Sequence, residues 1–473
     1  MVQNQVLINL VGILLAFFHF GLSMPVEDHG NIISVSSERE LEDAIGNAVP
    51  GDVIELADGV YAFSEDLNIK QKKGDEQKPI TIRAKNRLKA EITGKCRIRI
   101  RDSEYVVLEG LRFTMSADLG GKGGAVNLEG CKHCRITSCH FELDESSASD
   151  GNQTWLTVDA EGSGYNRIDH NLFQNKVKEG HYIFVTGDGD YMSQHDLIDH
   201  NHFRDRAWGN DENGYETIRG GESKVGNRDG GMFLTVSDNL FERCDGEDEM
   251  VSFKCGDCAF LRNTVIDCNG SVVLRTGNRS VVAGNFFLET DEEKPFPDHR
   301  CGGVRFYGSD HKIHNNYFEN LNGYGMLAPL NIMHGAPAGS GACGGADCLP
   351  AIRCEVAHNT WVNCRELRIG YDSDKRPLPP SDCVFANNIV YGSNDKGKLL
   401  HLFEVEGIKF SENIIYPTES TRTGIEHENL ESNEFRIVDP ALNDEYGAKP
   451  IPFLTPEDVG PYARDCPENE TNR

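Results

Sequence analysis

Three short segments carry polar and charged residues where the surrounding sequence is apolar, and these residues are candidates for chemistry. Glu247 and Glu249 are two residues apart, so both side chains would face one side of a β-strand. Two carboxylates that point the same way repel each other unless a cation lies between them. Carboxylate and amide oxygens suit a hard ion such as calcium, and Asn213 could supply the amide oxygen. The segments are Asn213–Arg219, Glu247–Lys254 and Val273–Asn278.

Two cations follow the acidic pair. Lys254 lies in the same segment, and Arg275 follows it by 21 residues, a spacing that suits one turn of a repeating structure. On neighbouring rungs the two side chains would be about 5 Å apart, and two exposed cations at that distance favour an anion between them. Paired acids or a single cation on a strand are more often solvated surface residues. The functional interpretation therefore rests on the combination of spacing, alternating charge and clustering.

A repeat that positions these segments runs through most of the chain: an apolar residue, a spacer, one or two polar residues, Asn, and then two bulky apolar residues. Its successive Asn positions are 30, 38, 24, 22, 31, 43, 29 and 25 residues apart. The shortest spacings match one bare coil of a solenoid, and the longer ones a coil with a loop insertion. Asn side chains at one corner can bond from coil to coil, which predicts a ladder. The repeats contain Asn171, Asn201, Asn239, Asn263, Asn285, Asn316, Asn359, Asn388 and Asn413.

The predicted fold is all-β, a single-domain right-handed parallel β-helix with an N-terminal capping helix. Ser37 can cap a helix from Glu38 to Asn47, because its hydroxyl accepts a free backbone N–H of the first turn. Further β-runs lie at 51–56, 79–82 and 105–108. A leucine-rich-repeat horseshoe is disfavoured because its Leu spacing is missing, and a propeller needs blades of about 40 to 50 residues. The predicted division is a signal peptide at 1–23, the β-helix lyase domain at 24–420, and an irregular segment at 421–473 that wraps the far end.

Composition limits the function. The 473 residues carry a net charge of −28, which argues against general binding to nucleic acid or to an anionic membrane. An acidic substrate would therefore need a local basic groove. The apolar run from Leu7 to Leu22 has the length of a signal-peptide core, although no Lys or Arg precedes it, and a signal anchor is the alternative. We expect a secreted protein with no membrane segment after signal cleavage.

Fifteen cysteines suit an oxidising compartment. The CxxC pairs Cys131/Cys134 and Cys255/Cys258 lie about 120 residues apart among other cysteines, which favours disulfides or buried thiols over zinc. Four cysteines suggest a stapled loop, and four sequons are candidate glycosylation sites. The loop cysteines are Cys343, Cys348, Cys354 and Cys364, and the sequons start at Asn152, Asn269, Asn278 and Asn469.

The chain resembles polysaccharide lyase family 6, which holds alginate lyases and the dermatan-cleaving chondroitinase B. Four stretches between residues 32 and 420 carry the resemblance: NGYETIR at 213–219, EDEMVSFK at 247–254, VVLRTGN at 272–278 and GGVRFYGSDHKIHNNYFE at 302–319. The family's usual Arg-His-Gly reads Arg275-Thr276-Gly277 here. The resemblance implies a parallel β-helix that acts on an acidic polysaccharide.

The resemblance also implies roles for individual residues. Asn213, Glu247 and Glu249 would hold calcium, Lys254 would be the catalytic base, and Arg275 would be the catalytic acid or its equivalent. Because guanidinium is a poor proton donor, we interpret Arg275 as stabilising the leaving oxygen, with water delivering the proton. The expected substrate-binding residues are Tyr215, Arg219, Arg305 and His311.

The predicted function is calcium-assisted β-elimination of a uronic-acid-containing polymer, with alginate first and dermatan sulfate or chondroitin second. Two other functions stay open. A hydrolase of the polygalacturonase type needs paired acids, for which Asp245, Asp248 and Asp257 are available. A non-catalytic carbohydrate-binding solenoid would not need Lys254.

Overall fold

A computed structural model describes the chain from residue 30 to residue 463, with gaps. The predicted signal peptide, Asn152, Cys343, Cys466 and Asn469 lie outside the described residues. Among the residues that are described, no helix is long and apolar enough to cross a membrane. The gaps are 120–122, 147–152, 160–161, 188–190, 211, 223–229, 291–293, 338, 341–347, 372–373, 393–396, 419–420, 426–433 and 438–452.

The N-terminal helix α1, Glu38–Asn47, has the predicted bounds. The Ser37 hydroxyl accepts a hydrogen bond from the Glu40 backbone N–H, so the predicted N-cap is present. Three apolar side chains of the helix are buried against the first coil: Leu41, Ala44 and Ile45. The helix thus covers the open end of the first coil, where strand edges would otherwise lack partners.

The described strands form three parallel sheets, in which each coil adds one strand to each sheet. Sheet A contains β1 (Ile32–Val35), β2 (Val53–Leu56), β5 (Ile80–Ala84), β8 (Val106–Glu109), β11 (Arg135–Thr137), β14 (Arg167–Asp169), β17 (Leu197–Asp199), β20 (Thr235–Ser237), β23 (Ala259–Leu261), β26 (Val281–Ala283), β29 (Lys312–His314), β32 (Glu355–Ala357), β35 (Cys383–Ala386) and β38 (Ile408–Ser411). The predicted parallel β-helix is confirmed.

The second sheet, sheet B, follows sheet A around each coil. It contains β3 (Gly59–Phe63), β6 (Ala90–Gly94), β9 (Arg112–Phe113), β12 (His140–Phe141), β15 (Leu172–Gln174), β18 (His202–Arg206), β21 (Leu240–Cys244), β24 (Thr264–Ile266), β27 (Phe286–Leu288), β30 (Tyr317–Glu319), β33 (Thr360–Val362), β36 (Ile389–Tyr391), β39 (Asn413–Tyr416) and β40 (Phe435–Arg436).

Sheet C completes the coil and carries the charged segments on its strands and adjoining loops. It contains β4 (Leu67–Lys70), β7 (Ile98–Arg101), β10 (Val126–Glu129), β13 (Leu156–Asp159), β16 (Ile183–Val185), β19 (Ile218–Gly220), β22 (Glu249–Phe253), β25 (Gly270–Leu274), β28 (Cys301–Phe306), β31 (Leu330–Ile332), β34 (Leu367–Ile369) and β37 (Leu400–Leu402). A short 3₁₀ helix, Gly325–Leu327, precedes β31.

The core is built from like residues stacked coil upon coil. Phenylalanines of sheet B form one such column, with ring centroids 4.4 to 5.1 Å apart. Parallel strands place equivalent residues side by side at the rung spacing, so one apolar position per repeat produces a continuous core. The column contains Phe113, Phe141, Phe173, Phe203 and Phe241.

The corner between sheets A and B carries the predicted Asn ladder. Each Asn side chain donates from Nδ2 to Oδ1 of the next Asn at 2.8 to 3.2 Å, from Asn171 to Asn413. All nine side chains are buried. The ladder prediction is confirmed. Cys139 occupies the preceding rung, and its backbone N–H donates to Asn171.

Replacing Asn263 by alanine should destabilise the protein. The Asn263 side chain accepts from the backbone N–H of Asn239 and donates to the carbonyl of Val236, both at 2.9 Å, so its removal leaves buried groups unsatisfied. We expect a loss of about 3 kcal/mol in the free energy of unfolding, measured by denaturant titration. The matched control is Asn68→Ala on an exposed strand position, which should change stability by about 0.5 kcal/mol or less. Equal effects of the two substitutions would contradict a stabilising role for the ladder.

The described part of the C-terminal segment lies in two places. β40 pairs with β39 at the far end of sheet B. Residues 453–463 run back along the outside of the solenoid, where Leu454 N–H donates to Thr264 Oγ1 and Gly460 N–H donates to the His200 carbonyl. The Arg87 guanidinium donates to the Pro461 carbonyl at 2.9 Å. This stretch therefore follows the side of the solenoid, in addition to the expected cover at its end.

The described cysteines are mostly buried thiols. Twelve are free and buried, among them both CxxC pairs, Cys354 and Cys364, whereas Cys348 is disulfide-bonded. The predicted stapled loop of four cysteines is therefore wrong for Cys354 and Cys364, which belong to the core. The Asn269 sequon is also no acceptor in the folded protein, because Asn269 is buried and accepts a hydrogen bond from Arg300 N–H.

Candidate functional site

Sheet C aligns the charged segments along its outer face. Arg219 on β19 pairs with Ser252 on β22, which pairs with Val273 on β25, which pairs with Arg305 on β28. These residues face outward because their neighbours in sequence, such as Val251 and Phe253, point into the core. The result is a groove that runs along the axis of the solenoid, perpendicular to the strands.

Lys254 and Arg275 lie on neighbouring rungs at one edge of this groove. The residues before them, Phe253 and Leu274, are paired in register. The Lys254 N–H donates to the Gly220 carbonyl and the Arg275 N–H donates to the Phe253 carbonyl, so the regular ladder continues through both residues. The spacing of 21 residues thus corresponds to one bare coil.

Three carboxylates converge between these cations. One oxygen from each of Glu216, Glu247 and Glu249 lies within 4.8 Å of the others. Burial, together with the neighbouring Glu216 and Glu249 carboxylates, raises the pKa of the Glu247 carboxyl to about 9. Two or three negative charges this close repel each other, so the cluster favours a cation.

Glu249 is bound by the arginines of the following rungs. Its Oε1 lies 3.1 Å from Arg305 Nη2 and 3.5 Å from Arg275 Nε, and its Oε2 accepts from Ser252 Oγ at 2.6 Å. Burial acts to raise the pKa of the Glu249 carboxyl, but the positive charges of Arg275, Arg305 and Lys254 outweigh it and lower that pKa. Glu249 is therefore held as a carboxylate that also orients both arginines.

Glu216 is a site residue that the sequence interpretation missed. Its Oε1 accepts from Lys254 Nζ at 2.9 Å, and its Oε2 lies 3.0 Å from His181 Nε2. His181 is fully buried, and its Nδ1 lies 3.1 Å from Thr154 Oγ1. Although burial opposes it, the charges of His181, Lys254 and Arg219 hold the pKa of Glu216 well below its usual range. Glu216 lay within the NGYETIR segment, but nothing in sequence linked it to Lys254, 38 residues later.

The residues predicted to hold calcium line one cleft. Asn213, Glu247 and Glu249 surround a cavity of about 210 Å³ together with Arg305 and Met326. Their oxygens are the hard donors that calcium prefers. The raised pKa of Glu247 also reflects close negative charge that a divalent cation would neutralise. These residues therefore fit a calcium ion.

The predicted substrate-binding residues differ in position. Arg219 lies half-buried in the groove, with its guanidinium 4.8 Å from the Phe184 ring centroid. Arg305 lies at the groove floor, and its Nε has no hydrogen-bond partner among the described residues. Tyr215 precedes Glu216, and its ring packs 4.7 Å from the Arg206 guanidinium. Thr276, at the usual histidine position, is buried.

His311 does not reach the groove. Its ring is buried, Nδ1 accepts from the Ser280 N–H at 3.1 Å, and Nε2 lies 2.8 Å from the Tyr307 carbonyl. Burial lowers the pKa of His311 to about 4, so the ring is neutral. The interpretation of His311 as a substrate contact is corrected: it ties two coils together through backbone groups.

The fold and the groove together define a parallel β-helix protein with a carboxylate, lysine and arginine site on one sheet. The sequence profile of the chondroitinase B family matches residues 35–452, so the chain belongs to this family, and its fold is that of polysaccharide lyase family 6. No curated protein sequence matches the chain.

Solved structures of family 6 lyases have the same fold. The alginate lyase AlyGC is 26% identical with a TM-score of 0.73; the match covers 86% of this chain and 53% of AlyGC, so this chain spans about half that length. A mannuronic acid specific family 6 lyase from human gut microbiota is 26% identical with a TM-score of 0.71, over 86% of this chain and 91% of that one. A family 6 alginate lyase in complex with a trisaccharide is 19% identical with a TM-score of 0.66, over 89% and 96%.

Proposed function

We propose that the protein is a secreted lyase that cleaves a uronic-acid-containing polysaccharide by β-elimination. The observation that carries this proposal is the placement of Lys254 and Arg275 on adjacent rungs, with the Glu216, Glu247 and Glu249 carboxylates converging between them. Such a site offers a base, a cation for the departing oxygen and a metal-binding cluster within one groove. The family match supports the same conclusion.

The reaction requires removal of the proton at C5 of a uronic acid, next to its carboxylate. A neutral Lys254 amine accepts this proton, and Glu216 orients the amine through the 2.9 Å contact. Arg275 stabilises the oxygen that leaves C4, and water delivers a proton to it, since guanidinium does not give up its own. A calcium ion held by Asn213, Glu247 and Glu249 would neutralise the substrate carboxylate and so stabilise the enediolate.

Alginate is the proposed substrate. The lyase from human gut microbiota that is 26% identical to this chain is described as mannuronic acid specific, which supports a polymer of this kind. Dermatan sulfate or chondroitin is the second candidate because the matching family is named for chondroitinase B. Both polymers carry one carboxylate per uronic acid, which suits the arginines along sheet C.

The hydrolase alternative finds less support in the geometry. Asp245 is buried and accepts from the Asn269 N–H, with His299 Nε2 3.1 Å from its Oδ1. Asp257 is paired with Arg279 through both carboxylate oxygens at 2.8 and 2.6 Å. These acids serve structural contacts, whereas a hydrolase needs a free acid and base across the scissile bond.

The direct test is the ultraviolet absorbance of the unsaturated product, measured with alginate, dermatan sulfate and pectate side by side. A rise with a uronic acid polymer supports the lyase, and its loss in EDTA supports the metal. Reducing ends without the unsaturated chromophore would show hydrolysis, and binding without cleavage would show a carbohydrate-binding solenoid.

Glu247→Gln and Glu249→Gln should each remove most of the lyase activity, because each substitution replaces a charged oxygen donor by a neutral one. Added calcium should restore part of the activity if weaker calcium binding is the defect. Kinetics over a calcium titration measure this effect. Asp238→Asn, on a corner away from the groove and paired with Arg262, is the control and should retain wild-type activity. Full activity of both glutamine variants in excess EDTA would refute the metal site.

A further inference from the structure

A second cleft lies on the same groove, farther along the solenoid. It has a volume of about 430 Å³, and its lining includes His334, Asp374, Arg376, Phe403 and Glu404. We call it the distal cleft. None of its residues belongs to the carboxylate cluster or touches Lys254 in the described contacts.

The distal cleft is aligned with the reaction centre by the rungs of sheet C. Tyr307, Met333 and Phe403 follow their strands as Arg275 does, and their N–H groups continue the same ladder, to the carbonyls of Leu274, Phe306 and Ile369. Phe403 is four strands beyond Arg275 in sheet C, which places it about 19 Å away along the axis. One rung is close to the length of one sugar unit, so a polymer in the groove reaches the cleft after three or four units.

Arg376 connects the distal cleft with the reaction centre. Its guanidinium lies 5.8 Å from the Tyr307 ring centroid, and the Arg275 guanidinium lies 5.9 Å from that same centroid. Arg376 Nε and Tyr307 Oη are buried without hydrogen-bond partners among the described residues. Buried polar groups without partners are costly, so both favour a ligand that accepts and donates hydrogen bonds.

The rest of the lining also suits a sugar. Phe403 and Tyr371 are half-buried rings, and the Arg368 guanidinium lies 5.8 and 5.7 Å from their centroids. Glu366 Oε1 accepts from Arg368 Nε at 2.6 Å and holds that side chain in place. Aromatic rings offer a surface for the apolar face of a pyranose, and the exposed carboxylates Asp374 and Glu404 can accept from its hydroxyls.

We propose that the distal cleft is a binding subsite for a uronic acid unit about three to four units from the cleaved bond, with the unit's carboxylate held by Arg376. This inference rests on the proposed lyase function. A guanidinium binds a carboxylate through two parallel hydrogen bonds, which makes Arg376 the main source of selectivity for an acidic sugar over a neutral one. The consequence is that long oligomers are better substrates than short ones.

The test is the dependence of kcat/KM on the length of uronate oligomers. In the wild-type protein kcat/KM should rise about tenfold once the oligomer is long enough to fill the cleft. Arg376→Ala should lose this rise while cleaving short oligomers at the wild-type rate. Lys375→Ala is the matched control, because it removes one neighbouring positive charge that does not line the cleft. Thermal melting checks that the variants are folded.

Binding of a long oligomer to Lys254→Ala and to Lys254→Ala/Arg376→Ala, by calorimetry, separates the subsite from the reaction. Binding about tenfold weaker in the double variant supports the subsite even if no lyase activity is found. Lyase activity with the same length dependence in Arg376→Ala would overturn the subsite and leave the lyase intact. Absence of both binding and cleavage for every uronate tested would overturn both.

Discussion

Replacing Lys254 by alanine should lower kcat by about 10²- to 10⁴-fold, the usual contribution of a positioned general base. Lys254 is the amine that lies beside the carboxylate cluster and on the rung next to Arg275. KM should change far less, since Arg219 and Arg305 remain to hold substrate carboxylates. Initial rates from the absorbance of the unsaturated product, over a range of polymer concentrations, measure both parameters.

The arginine substitution separates proton transfer from charge. Lys254→Arg should be nearly as inactive as Lys254→Ala, because guanidinium stays protonated and accepts no proton. Lys312→Ala, an exposed lysine on β29 of sheet A, is the matched control and should retain the wild-type rate. If Lys254→Arg kept near-normal turnover, Lys254 would act only as a charge, and Tyr215 would be the next candidate for the base.

Replacing Glu216 by alanine should lower kcat by about a hundredfold, because the loss of the 2.9 Å contact lets the Lys254 amine move away from the proton it must take. Glu216 is a positioning residue, so KM should change little. The measurement is again kcat and KM on the same polymer, with calcium affinity determined in parallel because Glu216 adjoins Glu247 and Glu249.

The glutamine substitution is the conservative variant for this position. Glu216→Gln keeps an oxygen that accepts from Lys254 and an amide that can bond His181, so it should recover most of the kcat lost in Glu216→Ala. A purely structural role would instead lower the melting temperature and leave kcat of the folded protein unchanged. Near-normal kcat in Glu216→Ala would show that Lys254 is held by other groups.

The charged groups act through the rungs of the solenoid. Sheet C converts separations of 21 to 38 residues in sequence into contacts of a few ångströms, as between Arg275 and the coil of Lys254, or between Lys254 and Glu216. The groove is positive along its floor although the chain carries a net charge of −28. A local field of this kind can attract an acidic polymer to one face, whereas the remaining surface repels it.

Much of the fold could be predicted from sequence because its determinants repeat. The Asn at each corner, the apolar pair after it and the capped helix at Glu38–Asn47 depend on local geometry and on nearest-neighbour stacking. The spacing between Lys254 and Arg275 was informative for the same reason, since a bare coil without an insertion converts sequence distance directly into rung distance. The family resemblance is confirmed by the match over residues 35–452.

Other features depended on the tertiary structure, because loop insertions hide the register between coils. Glu216 meets Lys254 and His181 only after coils of unequal length are stacked. His311 carries the same ring whether it faces a groove or a backbone carbonyl, and burial decided for the latter. Cys354 and Cys364 are core thiols because their positions point inward. The distal cleft joins Arg376 from a loop to Phe403 from a later coil, and this closeness is a property of packing between distant segments that the sequence alone does not reveal.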